Sequence, residues 1–543
     1  MRSRLSDMKS IYLFTLSMLL SLAVPAQRFA CTFSPAIPDM PLAGWNKVLQ
    51  MHNGNTLLIH LEPAKAMAIT VFNSERQPVA THRYVCSLLD INRLQFTEFK
   101  GLYEINNEAV LFLQQPYNNH LSLFRLRFNA SNGMMVKEEI MLESPALANA
   151  NYCYVTKMTG RDEYAVLIMK DLDRNPDEKT RFTVWNGNHQ LVKQTDLAIN
   201  GRNISSLKLL FMKGANNGLY CTFRLETQID TGKHQQYLVT TFLPVGDVRV
   251  QLHFSEIPDE YQAVASSMSY NPATGKEHIL TTATYRFRRE REIYNDHGLW
   301  AVAYLESYDS SRLDLTQQKV LAHDKIQAYN SADAHTLLHH YYTPEKIHIT
   351  PDGRLFVLYE EAFSGGVWET GMYHPRTYMG NIGISRIDET GKELNGIVVP
   401  KMQGLESYYL PENVMTRSAD QQLFPNTPKH SFYHQFSSFD LVPAGNTAYV
   451  IFNDNKKNND LYPSEPIHPV DNYDYGNAVC YALREDSVLR TGSLFGTTAA
   501  DEFKSCMLGS AHYDESTGTY AVLMLHRQGK KLETKMAWIH FSP

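Results

Sequence analysis

The chain has 543 residues, with 51 Lys and Arg against 57 Asp and Glu and a formal net charge of −6. That acidic balance favours solubility and argues against a nucleic-acid-binding surface, which needs clustered positive charge. Its six cysteines include no C-x-x-C pair and no zinc-ligand spacing.

The first 26 residues read as an export signal. Arg2, Arg4 and Lys9 precede an apolar stretch from Ile11 to Val24, and Val24-Pro25-Ala26 supplies small residues for cleavage. Cleavage there leaves Gln27 first, as in many exported proteins of Gram-negative bacteria, so a periplasmic or extracellular location is expected. Cys31 is not read as a lipid anchor, because Arg28-Phe29-Ala30 is not the small apolar run such a site needs. No other segment is long and apolar enough to span a bilayer as a helix.

From Trp45 onward one plan repeats: an apolar run, a tight turn, two further apolar runs, and after another tight turn a more polar strand. The first unit has predicted strands at Trp45–Met51, Thr56–Leu61, Met67–Phe72 and Pro78–Tyr84. The second has Lys100–Ile105, Ala109–Gln114, Leu121–Phe128 and Met135–Met141. The third has Tyr152–Lys157, Tyr164–Met169, Phe182–Trp185 and Gln190–Ala198. The fourth has Leu207–Met212, Gly218–Leu225, Gln236–Leu243 and Val248–Phe254. Units five to seven keep their middle strands at His278–Tyr285 with Leu299–Glu306, Arg354–Tyr359 with Asn381–Ile387, and Thr447–Phe452 with Asn477–Arg484. The last unit has Cys506–Tyr513, Tyr520–Leu525 and Met536–Phe541, and no fourth strand.

Continuous apolar runs such as Ala165–Met169 suit strands buried on both faces, whereas Val136–Ile140 alternates as a half-exposed edge does. Gly353, Gly391, Gly445 and Gly518 fall where tight hairpins demand positive φ. Repeats of this length and plan predict an all-β fold: a single β-propeller of four-stranded antiparallel blades, eight by the best count and seven by the next. Residues 27–44 are expected to close the ring, with Phe33–Leu42 supplying the missing last strand and so removing an exposed sheet edge. Residues 45–543 are then the propeller proper.

This organisation resembles the β-propeller superfamily, with its WD40-like and quinoprotein-like repeats, over nearly the whole chain after the leader. The resemblance is architectural. The Gly-His and Trp-Asp signatures of WD40 repeats, the sialidase Ser-x-Asp-x-Gly-x-Thr-Trp box and a regular tryptophan docking motif are all absent, so it implies no site residue.

Within each unit the first-to-second and third-to-fourth connections are short. The second-to-third and blade-to-blade connections are long. Antiparallel strands put the two sets on opposite faces, and long loops in a compact domain usually carry function. The longest, 286–298, 322–344, 360–380, 400–434 and 453–476, fall in blades five to seven. They offer Trp368, Tyr373, His374, Arg376 and Tyr378, then His468, Asp474 and Tyr475. Aromatic faces with hydrogen-bonding tips suit glycans or protein partners, although the same aromatics equally suit packing the loops onto the propeller.

His335 and His339 stand four apart and would align on one helix face as ligands for a divalent metal, with Glu360, Glu361, His374, His430 or His434 completing the set. No Glu follows His335 to make H-E-x-x-H, and 21 histidines make chance clusters common. Asp171–Glu178 has oxygen side chains at alternate positions but lacks the Gly and distant Glu of an EF-hand. Arg286–Arg291 is a charge run that suits a solvated loop. Cys31 and Cys86 are the preferred disulfide pair, the other four cysteines reading as buried strand residues. The leading functional expectation is a secreted monomeric binding or scaffold module, recognising a glycan or protein through the long-loop face of blades five to seven and needing no cofactor beyond an optional divalent metal. A polysaccharide lyase or hydrolase, with or without metal assistance, and a structural envelope subunit are the alternatives.

Overall fold

The computed structural model describes residues 29–38, 44–62, 66–117, 120–143, 151–170, 180–199, 204–230, 233–285, 301–310, 312–321, 324–325, 341–369, 372–405, 435–460, 467–484, 487–496 and 498–541. Residues 1–26, expected to be an export signal, lie outside them. Among the described residues the strands form eight antiparallel sheets. Six of them take four consecutive strands each in chain order, and a seventh adds a short fifth strand to its four. The protein is an eight-bladed β-propeller.

The eighth sheet closes the ring. Glu502–Asp514, Thr519–Gln528 and Lys531–His540 supply three strands, and Ala30–Phe33 supplies the fourth, pairing Ala30 with His540 and Phe33 with Ala537. The closing strand starts a few residues earlier than the sequence suggested. Beyond it, the Ser34 and Ile37 amides still donate to the Met536 and Thr534 carbonyls at 2.9 and 2.8 Å. Phe29 explains the register. Its ring lies 4.9 Å from that of Phe541 and 5.6 Å from that of Tyr449, so the earlier residues seat an aromatic between blades seven and eight.

The burial pattern follows from radial stacking. In blade one the strand Thr56–Leu61 is buried throughout, whereas the outer strand Pro78–Tyr84 alternates. Successive side chains of a strand point to opposite faces. Leu57, Ile59 and Leu61 therefore enter the cluster shared with blade two, while Leu58 enters the cluster shared with blade eight. The same division gives every blade-to-blade junction its own apolar filling. Polar contacts lock the junction of first and last blades. Gln50 Nε2 donates to the carbonyls of His512 and Thr519, both at 2.9 Å, and Trp538 Nε1 donates to Thr56 Oγ1 at 3.0 Å.

The turns behave as their residues require. Gly353 and Gly391 adopt φ of +86° and +73°, and a Cβ at Gly353 would stand 2.7 Å from that of Ala273. One expected loop is not a loop. Leu355–Glu369 and Met372–Ile387 continue the middle hairpin of blade six through residues 362–379, paired from Ala362↔Met379 to Glu369↔Met372. The cysteine pairing also needs correction. Cys31 packs between blades seven and eight and Cys86 between blades one and two, and all six cysteines are free thiols. Burial pushes the Cys31 and Cys86 thiols up to about 11 and about 12, so both are unreactive apolar fillers. Among the described residues no helix is long and apolar enough to cross a membrane.

Candidate functional site

The long connections leave from one face, and over blades six to eight that face is built from ordered elements. Its base is the prolonged blade-six hairpin. A short strand, Gln403–Leu405, pairs with Thr377–Met379 and widens the hairpin to three strands there. The same segment reaches the next blade, where the Gly404 amide donates to Val470 O and the Val470 amide to Met402 O, both at 3.0 Å.

Beneath this bridge lies a fully buried ion pair. Lys401 Nζ is 2.8 Å from Glu360 Oε1, with the side chains 0% and 1% exposed. Charges removed from water need every partner they can find. Lys401 also donates to Gln403 Oε1 at 3.3 Å and Met379 O at 3.4 Å, and Glu360 Oε2 accepts from Ser438 Oγ at 2.8 Å. Gln403 Nε2 in turn donates to Asn453 O at 2.9 Å and Ser438 O at 3.3 Å. The network pegs the crossing segment to blades six and seven. It also commits Glu360, once a candidate metal ligand, to a structural role. Adjacent Glu361 is buried too and accepts from the Asn381 amide at 2.9 Å.

Beside the peg, a 3-10 turn at Tyr473–Tyr475 presents two of the residues expected from sequence. Asn472 caps it by accepting from the Asp474 amide. Asp474 Oδ2 receives Arg527 Nη2 at 2.6 Å, and the Arg527 guanidinium lies 4.7 Å from the centre of the Tyr475 ring. Phe503, the cross-strand partner of Arg527, meets that ring edge-on at 5.4 Å. Tyr475 thus packs on both residues while remaining 50% exposed. Lys456 sits 5.5 Å over Phe503. Nearby Glu502 bonds Lys504 at 3.0 Å and His526 at 2.9 Å. Burial would raise the Glu502 carboxyl, but these partners and the Ala499 amide hold it down at about 2.

His468 stands farther back. Its amide and carbonyl are both held by the Asn458 side chain, at 2.8 and 2.9 Å. Tyr378 is half-buried beneath the crossing strand, its backbone paired with Gly404 and Phe363. Trp368 pairs with Tyr373, Val367 with His374 and Gly365 with Arg376 along the hairpin, while the side chains of these residues lie outside the described part of the protein. Sequence reasoning missed Arg527, Phe503 and Lys456. Arg527 lies 53 residues from Asp474 at the end of an ordinary strand, with no local signal.

His335, His339, His430 and His434, Asp171–Glu178 and Arg286–Arg291 lie outside the described residues. Among the described residues no group of three or more His, Cys, Asp or Glu is placed to hold a metal ion.

No family model and no curated protein matches the chain. Similar solved structures are remote. The quinohemoprotein alcohol dehydrogenase of Comamonas testosteroni is 8% identical, with 96% of this chain and 79% of that one covered and a TM-score of 0.43. The WD40 domain of SCAP from fission yeast is 8% identical, with 95% and 98% covered and a TM-score of 0.33. A post-proline cleaving enzyme from Rickettsia typhi is 10% identical, with 91% of this chain covered and a TM-score of 0.35. The chain spans only 59% of that enzyme's length, and 55% of a second prolyl endopeptidase. Strand pairing, not these likenesses, establishes the fold.

Proposed function

We propose that the protein is an exported binding module that holds a macromolecular partner, a protein or a glycan, against its long-loop face over blades six to eight. One observation carries this reading: the half-exposed Tyr475 ring held against Arg527 and Phe503. Such an anchor has surrendered its side-chain freedom before binding, so contact with it is entropically cheap. Tyr and Arg are also the residue types that dominate binding hot spots. The pegged hairpin of blade six supports the reading by continuing the same face on hydrogen-bonded backbone rather than on free loops.

The enzyme alternative has lost Glu360 to Lys401 and rests on His335 and His339, which lie outside the described residues, and on the His374 side chain, which does too. Export rests on the leader, and mass spectrometry of the mature protein should find Gln27 first. To test binding, a glycan array and crosslinking to envelope proteins would identify a partner. The Tyr475→Ala/Arg527→Ala variant should then bind it more weakly by about 2 kcal/mol or more, roughly thirtyfold, with an unchanged melting temperature. Equal binding by variant and wild type would overturn the proposal.

A further inference from the structure

The opposite face holds a different kind of site. Where the short turns emerge, the inner strands of blades eight, one, two and three end around a cavity of about 190 Å³. Leu49 and Leu102 form an apolar wall, and His52, Glu104, Lys157 and His512 stand around it.

Hydrogen bonds fix the polarity of these groups. His512 is kept neutral by burial, which pushes it down to about 4. Its Nδ1 faces the Gln50 amide at 3.4 Å and accepts from it, so the single ring proton sits on Nε2 as a donor. On the other side of the cavity, the His52 amide and Nδ1 lie 2.8 and 2.6 Å from Glu104 Oε2, which accepts from the amide, so Glu104 brings acceptor oxygens to the lining. Lys157 Nζ donates to Glu104 O and stands 3.5 Å from Asp162, with a further N–H to offer.

Charge and size narrow the ligand. Glu104, Asp514 and Glu515 line the cavity with the single ammonium of Lys157, so an anion is disfavoured. The ligand must offer donors and acceptors side by side, because the protein presents both. Vicinal hydroxyl groups do this, and the C–H face of the same ring suits the apolar wall. The volume is below the ~300 Å³ at which drug-sized pockets begin, so one ring fills it.

We propose that this cavity binds a single neutral sugar ring, at a site separate from the long-loop face. On the long-loop side Gln435 joins blades one and eight, its side chain donating to Gly44 O at 2.6 Å and its carbonyl accepting from the Gly509 amide at 2.9 Å.

The test is saturation-transfer NMR and calorimetry on the full mature protein. D-glucose, D-galactose and N-acetyl-D-glucosamine would be titrated to ~10 mM, with D-glucuronate and D-glucosamine as charged controls. At least one neutral sugar should bind, in preference to both controls. His52→Ala, at a side chain 77% exposed, should weaken that binding about tenfold without moving the melting temperature. Lys157→Met should also weaken it, and Tyr475→Ala/Arg527→Ala should leave it unchanged. No saturation transfer to any neutral sugar, preference for a charged control, or binding indifferent to His52→Ala would overturn the proposal. Loss of binding in the long-loop variant would overturn the separateness of the two sites.

Discussion

Glu277 gives the sharpest stability prediction. It sits on the second strand of blade five, facing blade four, with 3% of its surface exposed and Oε2 without a hydrogen-bond partner. Burial pushes its carboxyl up from 4.5 to about 7, against the pull of Lys213. A carboxyl raised on folding leaves the native state fully stable while it is protonated, below its unfolded value. That stability is lost as pH rises through 7, because the native state must then hold a buried carboxylate. Each pH unit of displacement is worth about 1.4 kcal/mol, so the penalty at pH 8 is about 3 kcal/mol. Glu277→Gln keeps the shape and removes the charge. Urea unfolding at pH 8 should show the variant more stable by up to about 3 kcal/mol, and at pH 4 the two proteins should agree within about 0.5 kcal/mol. A variant no more stable at pH 8, or a gain that persists undiminished at pH 4, would refute the reasoning.

Lys401→Met should cost about 3–5 kcal/mol by stranding the Glu360 carboxylate, and Lys401→Met with Glu360→Leu should recover most of it, as chemical denaturation of both would show. His348 is buried, stacked on Phe356, and pushed down to about 4 by that burial. Its contribution is therefore intact above about 6.5 and lost as pH falls toward 4, so His348→Phe should move the acid-unfolding midpoint, followed by circular dichroism, to lower pH. Phe29→Ala with Phe33→Ala should destabilise ring closure by about 3 kcal/mol while leaving the far blades' hydrogen-exchange protection in place below the global transition.

Much of the fold was legible because a blade is a local object. Each strand lies beside its chain neighbour, so periodicity and turn residues such as Gly353 and Gly518 carry the pairing directly. The hairpin through 362–379 was misread for a physical reason. Gly365-Gly366 and Pro375 look like turn chemistry, yet Gly366 and Pro375 face each other across the ladder. Pro375 lies beyond Thr377–Met379, the stretch to which the third strand pairs, and a residue without an amide donor is tolerated there. The flanking Phe, Val, Trp and Tyr are strong strand formers that outweigh those signals. The site was less legible because its contacts cross blades. Tyr475 and Asp474 stood out by composition, but Arg527, the Lys401–Glu360 peg and the meeting of His52 with His512 join residues that nothing in the local sequence connects. The Cys31–Cys86 pairing failed likewise, since the two thiols enter separate junctions.

Hydrogen–deuterium exchange of the wild-type protein with its captured macromolecular partner tests the central claim most directly. The account predicts that slowed exchange will concentrate in Leu355–Ile387, Gln403–Leu405, Tyr473–Gly476 and the end of the strand Thr519–Gln528. Protection confined to short turns such as 73–77, 186–190 and 388–392, with the long-loop face unchanged, would contradict it.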